Sequence, residues 1–296
     1  LINDSLKPSK RQFLLFLGIP VIWYSFVVLL PVFGAIRYSF FDWSGGPNME
    51  AVGFANYMDI LQDDLFWRSL KNNLVIILYC IIGQIGIALV LSALLQSKFI
   101  KFKKIHRSVI FFPVVLSSVV IGFVWTIIYN KDYGLLNWLL STLNLDFLIH
   151  PYLDDPKTIL LFVSIPLIWK YIGYYMVLLL SGMSTIPTSV LEMSEIDGAT
   201  GWRKLVYIIF PLIKSTIIVC IMLCIAGNMK IFDHILVMTG GGPGTSSMVL
   251  AIYAYKQSFV KYKLGYGSAA SVLILIISLG IVLTTRYIAG REKSDN

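Results

Sequence analysis

The chain has 296 residues, 57% of them hydrophobic and only 14% charged, and its mean hydropathy is +0.78. Soluble domains carry roughly 25% charged residues, so a water-soluble enzyme is excluded and an integral membrane protein is left. The net charge of +8 is read as Lys and Arg gathered on cytoplasmic loops; no basic stripe with interleaved aromatics falls on a polar segment, so nucleic acid is not expected as a partner.

In chain order, apolar runs longer than the ~20 residues of a spanning helix predict six spans, at about 12–39, 72–96, 108–129, 158–183, 207–238 and 265–289. The first run is too long for a secretory signal and lacks a small-residue cleavage site. Positive charge alternates between the connections. Lys7, Lys10 and Arg11 precede span one; Lys98, Lys101, Lys103, Lys104 and Arg107 follow span two; Arg203 and Lys204 follow span four; Arg291 and Lys293 close the chain. These segments are placed in the cytoplasm, with both termini. The opposite loops hold Asp42, Glu50, Asp59, Asp63, Asp64, Asp132, Asp146, Asp154 and Asp155. Most of Trp23, Trp43, Trp67, Trp125, Trp138 and Trp169 are read as interfacial anchors. Pro20, Pro31, Pro113, Pro166 and Pro211 sit within spans, where each removes a backbone hydrogen bond and can kink its helix. No internal repeat stands out, and residues 1–296 are read as one transmembrane domain.

Cys80, Cys220 and Cys224 lie inside apolar runs, too few for a disulfide framework. His106, His150 and His234 are scattered without metal-ligand spacing, so no metal site is expected. The polar loop at 184–206 is the main concentration of charge between spans four and five. Pro187 ends or deflects span four. Ser189 with Glu192 fits a capping box, Leu191, Met193 and Ile196 offer a small apolar face, and Gly198 can take the left-handed conformation that ends a helix. A second helical segment starts near Trp202, and Pro211 fits a bend. One reading is an ordinary capped connector. The other is a docking surface, with Glu192 and Asp197 meeting basic residues of a soluble subunit in charge-assisted pairs.

The residues Glu192-Met-Ser-Glu-Ile-Asp197-Gly198-Ala199, followed by Ile209-Phe210-Pro211, resemble the "EAA" loop of binding-protein-dependent ABC importer permeases, with Met193 and Ser194 in place of the two alanines. Gly53-Phe-Ala-Asn-Tyr57 with Phe66-Trp67 and Asn72-Asn73, Gly134-Leu-Leu-Asn137, Thr239-Gly-Gly-Gly-Pro243, Tyr253 and Gly265-Tyr-Gly-Ser-Ala269 resemble the carbohydrate branch of that family. These permeases are similar to the larger subunit of the maltose importer, without the large domain in its first outer loop. The resemblance spans about residues 12–290. It implies an all-α membrane protein of the bacterial inner membrane, with six transmembrane helices and a cytoplasmic coupling helix in the type I importer permease fold. It implies pairing with a second permease, two ATP-binding cassette subunits and an extracytoplasmic solute-binding protein. Glu192, Ser194, Glu195, Asp197, Gly198, Ala199 and Pro211 would couple to the ATPase. The chain has no GxxxxGK[ST], so no cofactor and no catalytic residue are expected in it; ATP and Mg belong to the partners.

Polar groups within a span default to functional hypotheses. Trp169, Lys170, Tyr171, Tyr174 and Tyr175 in span four, and Cys224, Gly227, Asn228, Lys230, Ile231 and Asp233 in span five, form the expected substrate path. In the maltose-type family the positions matching Tyr174 and Asn228 line the sugar site, and the spacings from Glu192 and Pro211 fit without gaps. Tyr171, Cys224, Gly227 and Ile231 differ from the maltose pattern, which implies another sugar. Plain structural roles stand beside this. Lys230 and Asp233 can pair at i, i+3, the tyrosines can pack, and Asn228 can bond between helices. Lys170 and Lys230 leave glycerol-3-phosphate or an acidic sugar open. An ion-coupled carrier would have Asp233 alone as its intramembrane acid.

Overall fold

The computed structural model describes residues 10–97 and 100–291, so Lys7, Lys98 and Lys293 lie outside the described residues. The described chain is helical apart from one two-stranded sheet and the connections. It falls into two compact units, Leu1–Gln62 with Ala254–Leu273, and Asp63–Tyr253 with Ile274–Asn296.

In the first unit, helix α1 (Arg11–Tyr38) is apolar along its length and exposes nearly every side chain, as a lipid-facing helix does. A hairpin of β1 (Phe41–Trp43) and β2 (Met49–Ala51) follows, antiparallel with Asp42 opposite Glu50. Helix α2 (Ala55–Gln62) is tied back by Asn56, whose Nδ2 donates to the carbonyls of Ser39 at 2.9 Å and Phe41 at 3.0 Å. The hydroxyls of Tyr57 and Ser39 meet at 2.6 Å. These bonds give the Gly53–Tyr57 motif its structural role. Gly265 opens the last helix, and a Cβ there would overlap the Phe41 carbonyl oxygen.

In the second unit, α3 (Asp64–Gln96) starts eight residues before the expected 72. Asp63 caps it, its carboxylate accepting the Leu65 N–H at 2.8 Å. Phe66, Ser69, Asn73, Ile76 and Cys80 then bury one face at the three- and four-residue spacing of a helix. Next come α4 (Lys103–Val115), α5 (Ser118–Ile128), α6 (Leu135–Thr142), α7 (Ile159–Met183), α8 (Thr188–Ile196), α9 (Gly201–Leu212), α10 (Lys214–Met229), α11 (Asp233–Met238) and α12 (Leu250–Tyr255). The final long helix is α13 (Leu264–Ala289).

Helices α1, α3, α7 and α13 are single rods long and apolar enough to cross a membrane. The other two spans are not the continuous helices expected over 108–129 and 207–238. Helices α4 and α5 meet at 96°, and α9 and α10 at 77°. In the first, Pro113 lacks a donor and Ser117 restarts the helix, its hydroxyl accepting the Val119 N–H at 3.3 Å. In the second, Pro211 leaves the carbonyl four residues back without its donor, next to a π-helical turn at Leu205–Ile209.

Helix α7 is the centre of this unit and buries Val163, Leu167, Met176, Leu179 and Met183. A Cβ on Gly173 would overlap the backbone of Ile110 and Phe111, so this glycine permits α7 to lie directly against α4. Lipid tails are as apolar as leucine, so such close approach and interhelical hydrogen bonds, rather than expulsion of water, hold the helices together. Asn72 Nδ2 donates to the carbonyls of Ser246 (3.0 Å) and Met248 (2.8 Å). Asn73 Nδ2 donates to Asn228 O at 2.9 Å while its Oδ1 accepts the Leu250 N–H at 2.8 Å. The asparagine pair thereby ties residues 228–250 to α3.

Candidate functional site

Span five is interrupted a second time. Helix α10 ends at Met229, and Lys230, Ile231 and Phe232 run outside helical structure before α11. Beside this break lies a cavity of about 400 Å³. One wall is a stripe of α7. Leu167, Tyr171 and Tyr174 sit at i, i+4 and i+7 and so share a face, with Tyr175 adjoining. The rings of Tyr174 and Tyr175 meet edge-on at 5.2 Å. Leu223, Gly227 and Asn228 line it from α10, the break adds Lys230, Ile231, Phe232, Asp233 and His234, and Gln84 and Ser118 complete it.

Asn228 is held on both sides. Its Nδ2 donates to Cys224 O at 2.9 Å and its own carbonyl accepts from Asn73. Among the described residues its Oδ1 has no hydrogen-bond partner, and the residue faces the cavity. Lys230 and Asp233 form no ion pair with each other, because the chain leaves the helix between them; both remain exposed at the cavity. A discontinuous helix with polar groups at membrane depth is where transporters build binding sites.

The structure brings together Tyr171, Tyr174, Tyr175, Gly227, Asn228, Lys230, Ile231 and Asp233 of the expected path. Trp169, Lys170 and Cys224 do not line this cavity. Trp169 precedes Tyr171 by two residues, about 200° around the helix, and its ring packs on Trp125 at 6.1 Å. Lys170, 5% exposed, lies behind the wall, where Nζ donates to Ser118 Oγ at 2.7 Å and stands 5.2 Å from the Tyr171 ring centre. Cys224 is fully buried, its Sγ covered by Gln84 Oε1 at 3.5 Å and Asn228 Nδ2 at 3.4 Å. Gln84, Ser118, Leu167, Leu223, Phe232 and His234 line the cavity without having been expected. Leu167 was within reach of the helical period counted back from Tyr171, and Gln84 was a lone amide in an apolar span. No sequence signal places Ser118 or His234 there.

At the other end of the unit, α8 begins at Thr188 after Pro187. The expected capping box from Ser189 is not formed, and no side chain caps this helix. Pro187 itself supplies the extended entry at ψ 138°, which moves Ser189 inside the first turn. The other end is as expected. Gly198 takes φ +81°, Gly198 N–H donates to Glu195 O at 3.2 Å and Ala199 N–H to Ser194 O at 2.9 Å, the double closure of a Schellman motif. Ser194 is buried with its hydroxyl donating to Leu191 O at 2.7 Å. Met193 (64%) and Ile196 (84%) are exposed. The carboxylates of Glu192 and Asp197 are exposed and make no hydrogen bond or ion pair among the described residues. Glu195 Oε1 instead accepts from Lys204 Nζ at 2.9 Å.

A family described as the inner membrane component of binding-protein-dependent transport systems matches residues 84–293. The chain belongs to that family. A probable ABC transporter permease of Pyrococcus horikoshii is 36% identical over 282 residues, covering 95% of this chain and 96% of the relative. The multiple sugar-binding transport system permease MsmF of Streptococcus mutans is 31% identical over 268 residues, covering 90% and 91%. The fold matches a chain in the crystal structure of a bacterial alginate ABC transporter in complex with alginate pentasaccharide-bound periplasmic protein, with a TM-score of 0.80, 22% identity and coverage of 95% and 96%. The permease is thus a multi-pass inner-membrane transport subunit rather than an enzyme. Among the described residues, no group of three or more His, Cys, Asp or Glu gathers to hold a metal ion.

Proposed function

We propose that the permease forms one half of an ATP-driven import path for a sugar or oligosaccharide, with its solute contacts in the cavity at the break of span five. The observation that carries this reading is that tyrosines of α7 and Asn228 of α10, its Oδ1 unclaimed, line the same cavity. Sugars present apolar ring faces and edge hydroxyls, and a site with aromatic faces and a few placed polar groups meets both. The sugar named for the Streptococcus relative and the alginate named for the structural neighbour support the class.

A second permease completes the path, and an extracytoplasmic solute-binding protein delivers solute, as the periplasmic protein seen with the alginate transporter suggests. Two ATP-binding subunits hold ATP and Mg and grip α8 through Glu192 and Asp197. Both termini lie in the cytoplasm with this loop. Movement of α8 is passed to span five and opens the cavity alternately to either side. A second reading is an anionic sugar or glycerol-3-phosphate. Lys230 at the cavity and Lys170 behind it outnumber Asp233.

The test is uptake by the reconstituted complex. Transport follows ATP and not an ion gradient, and Tyr174→Ala and Asn228→Ala each cut uptake while the complex still assembles. Glu192→Lys and Gly198→Pro uncouple ATP hydrolysis from uptake. Transport by the purified chain alone, driven by a gradient, would reject the importer reading; normal uptake in both cavity variants would reject the site.

A further inference from the structure

Helix α8 has little that holds it by packing. It buries one side chain, Ser194, and that hydroxyl turns back on its own helix. Between α8, α9 and the end of α3 lies a second cavity, of about 620 Å³, walled in part by Ala93, Gln96 and Leu205. The chain that joins α8 to α9 runs through Gly198 at φ +81° and Gly201 at φ +52°, two residues with the widest backbone freedom. Such a joint is soft. A helix that is to push a span needs a stiffer connection.

Lys204 supplies one. It stands on α9, at the foot of span five, and its ammonium reaches back to α8. Nζ donates to the Leu191 carbonyl at 3.0 Å and to Glu195 Oε1 at 2.9 Å. The Lys204 side chain is 16% exposed and that of Glu195 51%, so the lysine is the shielded half of the pair. The carbonyl bond lends geometric specificity that an exposed ion pair by itself lacks.

We propose that Lys204 is a positioning residue for coupling: it locks α8 to the foot of span five, so that a displacement of α8 by the ATP-binding partner turns span five with it instead of being absorbed by the two glycines. The inference rests on the reading of residues 187–211 as the docking element. It also divides the acidic residues of this loop. Glu192 and Asp197 are left outward for the partner, whereas Glu195 is committed within the chain.

The experiment measures solute uptake and ATP hydrolysis together in the reconstituted complex. Lys204→Met keeps the apolar stem and removes both bonds. Its uptake per ATP hydrolysed falls by about tenfold, the factor a hydrogen bond to a charged group is worth, while assembly and hydrolysis persist. Lys204→Arg retains coupling, and the exchange Glu195→Lys with Lys204→Glu recovers part of it. A Glu195→Cys, Lys204→Cys double variant is uncoupled until a short bis-maleimide, which alkylates both thiols, joins the two positions; Cys80, Cys220 and Cys224 are fully buried and stay out of the reaction. If Lys204→Met disrupts assembly, the cross-linked pair decides: regained coupling supports the strut and none overturns it. Unchanged uptake per ATP in Lys204→Met, with Glu192→Lys and Gly198→Pro uncoupled, overturns the strut and leaves the docking reading standing. Normal coupling in all three variants removes the docking reading and the strut with it.

Discussion

Replacing Asn73 by alanine tests how the broken end of span five is held. Asn73 has no exposed surface, and its amide spans two backbone groups far apart in sequence, Asn228 O at 2.9 Å and the Leu250 N–H at 2.8 Å. Asn73→Ala leaves both without this partner. The Asn228 carbonyl keeps the Ile231 N–H at 3.3 Å, so the Leu250 N–H is the group left unmet, at a cost of about 1–3 kcal/mol of local stability. At Leu250 this corresponds to amide exchange faster by roughly 5- to 150-fold, taking about 1.4 kcal/mol per factor of ten. Hydrogen–deuterium exchange across residues 228–250 of the complex reads this directly. Asn73→Asp is the control. It keeps an acceptor for Leu250 but sets an oxygen against the Asn228 carbonyl, so Leu250 stays protected while the Asn228 end loosens. Apparent solute affinity weakens in both variants, because Asn228 loses its backbone anchor. An alanine variant in which Leu250 exchanges at the wild-type rate would show that this bond is not what fastens the segment.

Gly227 lines the cavity, and a Cβ there meets nothing within 4 Å. Gly227→Ala should therefore fold and transport normally, whereas Gly227→Leu should assemble and block uptake of the larger solutes first, read from competition between short and long sugars. Gly198→Ala puts a Cβ at φ +81°, a left-handed conformation that costs about 1–2 kcal/mol, and should raise amide exchange at Ala199 while leaving the membrane spans unchanged. The Asp155 carboxylate, in the loop after α6, accepts the Lys157 N–H at 2.9 Å, the Thr158 hydroxyl at 3.0 Å and the His150 ring at 3.0 Å. The Lys157 bond foremost, with those from Thr158 and His150, holds its pKa below the usual carboxylate value. A depressed pKa means that the stabilisation is complete above the ordinary carboxylate range near pH ~4 and is lost as pH falls through the lowered value. Protection of the Lys157 amide should therefore be flat from neutral pH to that range and fall below it, and Asp155→Asn should abolish the step; a step that survives Asp155→Asn would assign it to another group.

The lengths of the apolar runs, the alternation of positive charge and the Glu192–Pro211 motif are all properties of neighbouring residues. They were sufficient for the membrane class and the family. Gly198 was legible too, since ending a helix in a left-handed turn is a local event. The breaks were less so. Pro113 and Pro211 announce that a backbone bond is missing, but whether the helix kinks, stops or turns by 77° or 96° depends on what packs against it.

The cavity lies further still from the sequence. Counting polar and aromatic residues favoured Trp169 and Lys170, and the family resemblance favoured Cys224, but the face of a helix is set by angle and not by density, and these three do not line the cavity. Gln84, Ser118 and His234 come to the cavity from three different helices, and Asn73 meets Asn228 and Leu250 across more than 150 positions. A hydrogen bond of 2.9 Å is blind to the length of chain between its partners. Pattern along the chain therefore governs which segments enter the membrane, and the packing of one segment on another governs which side chains share a space.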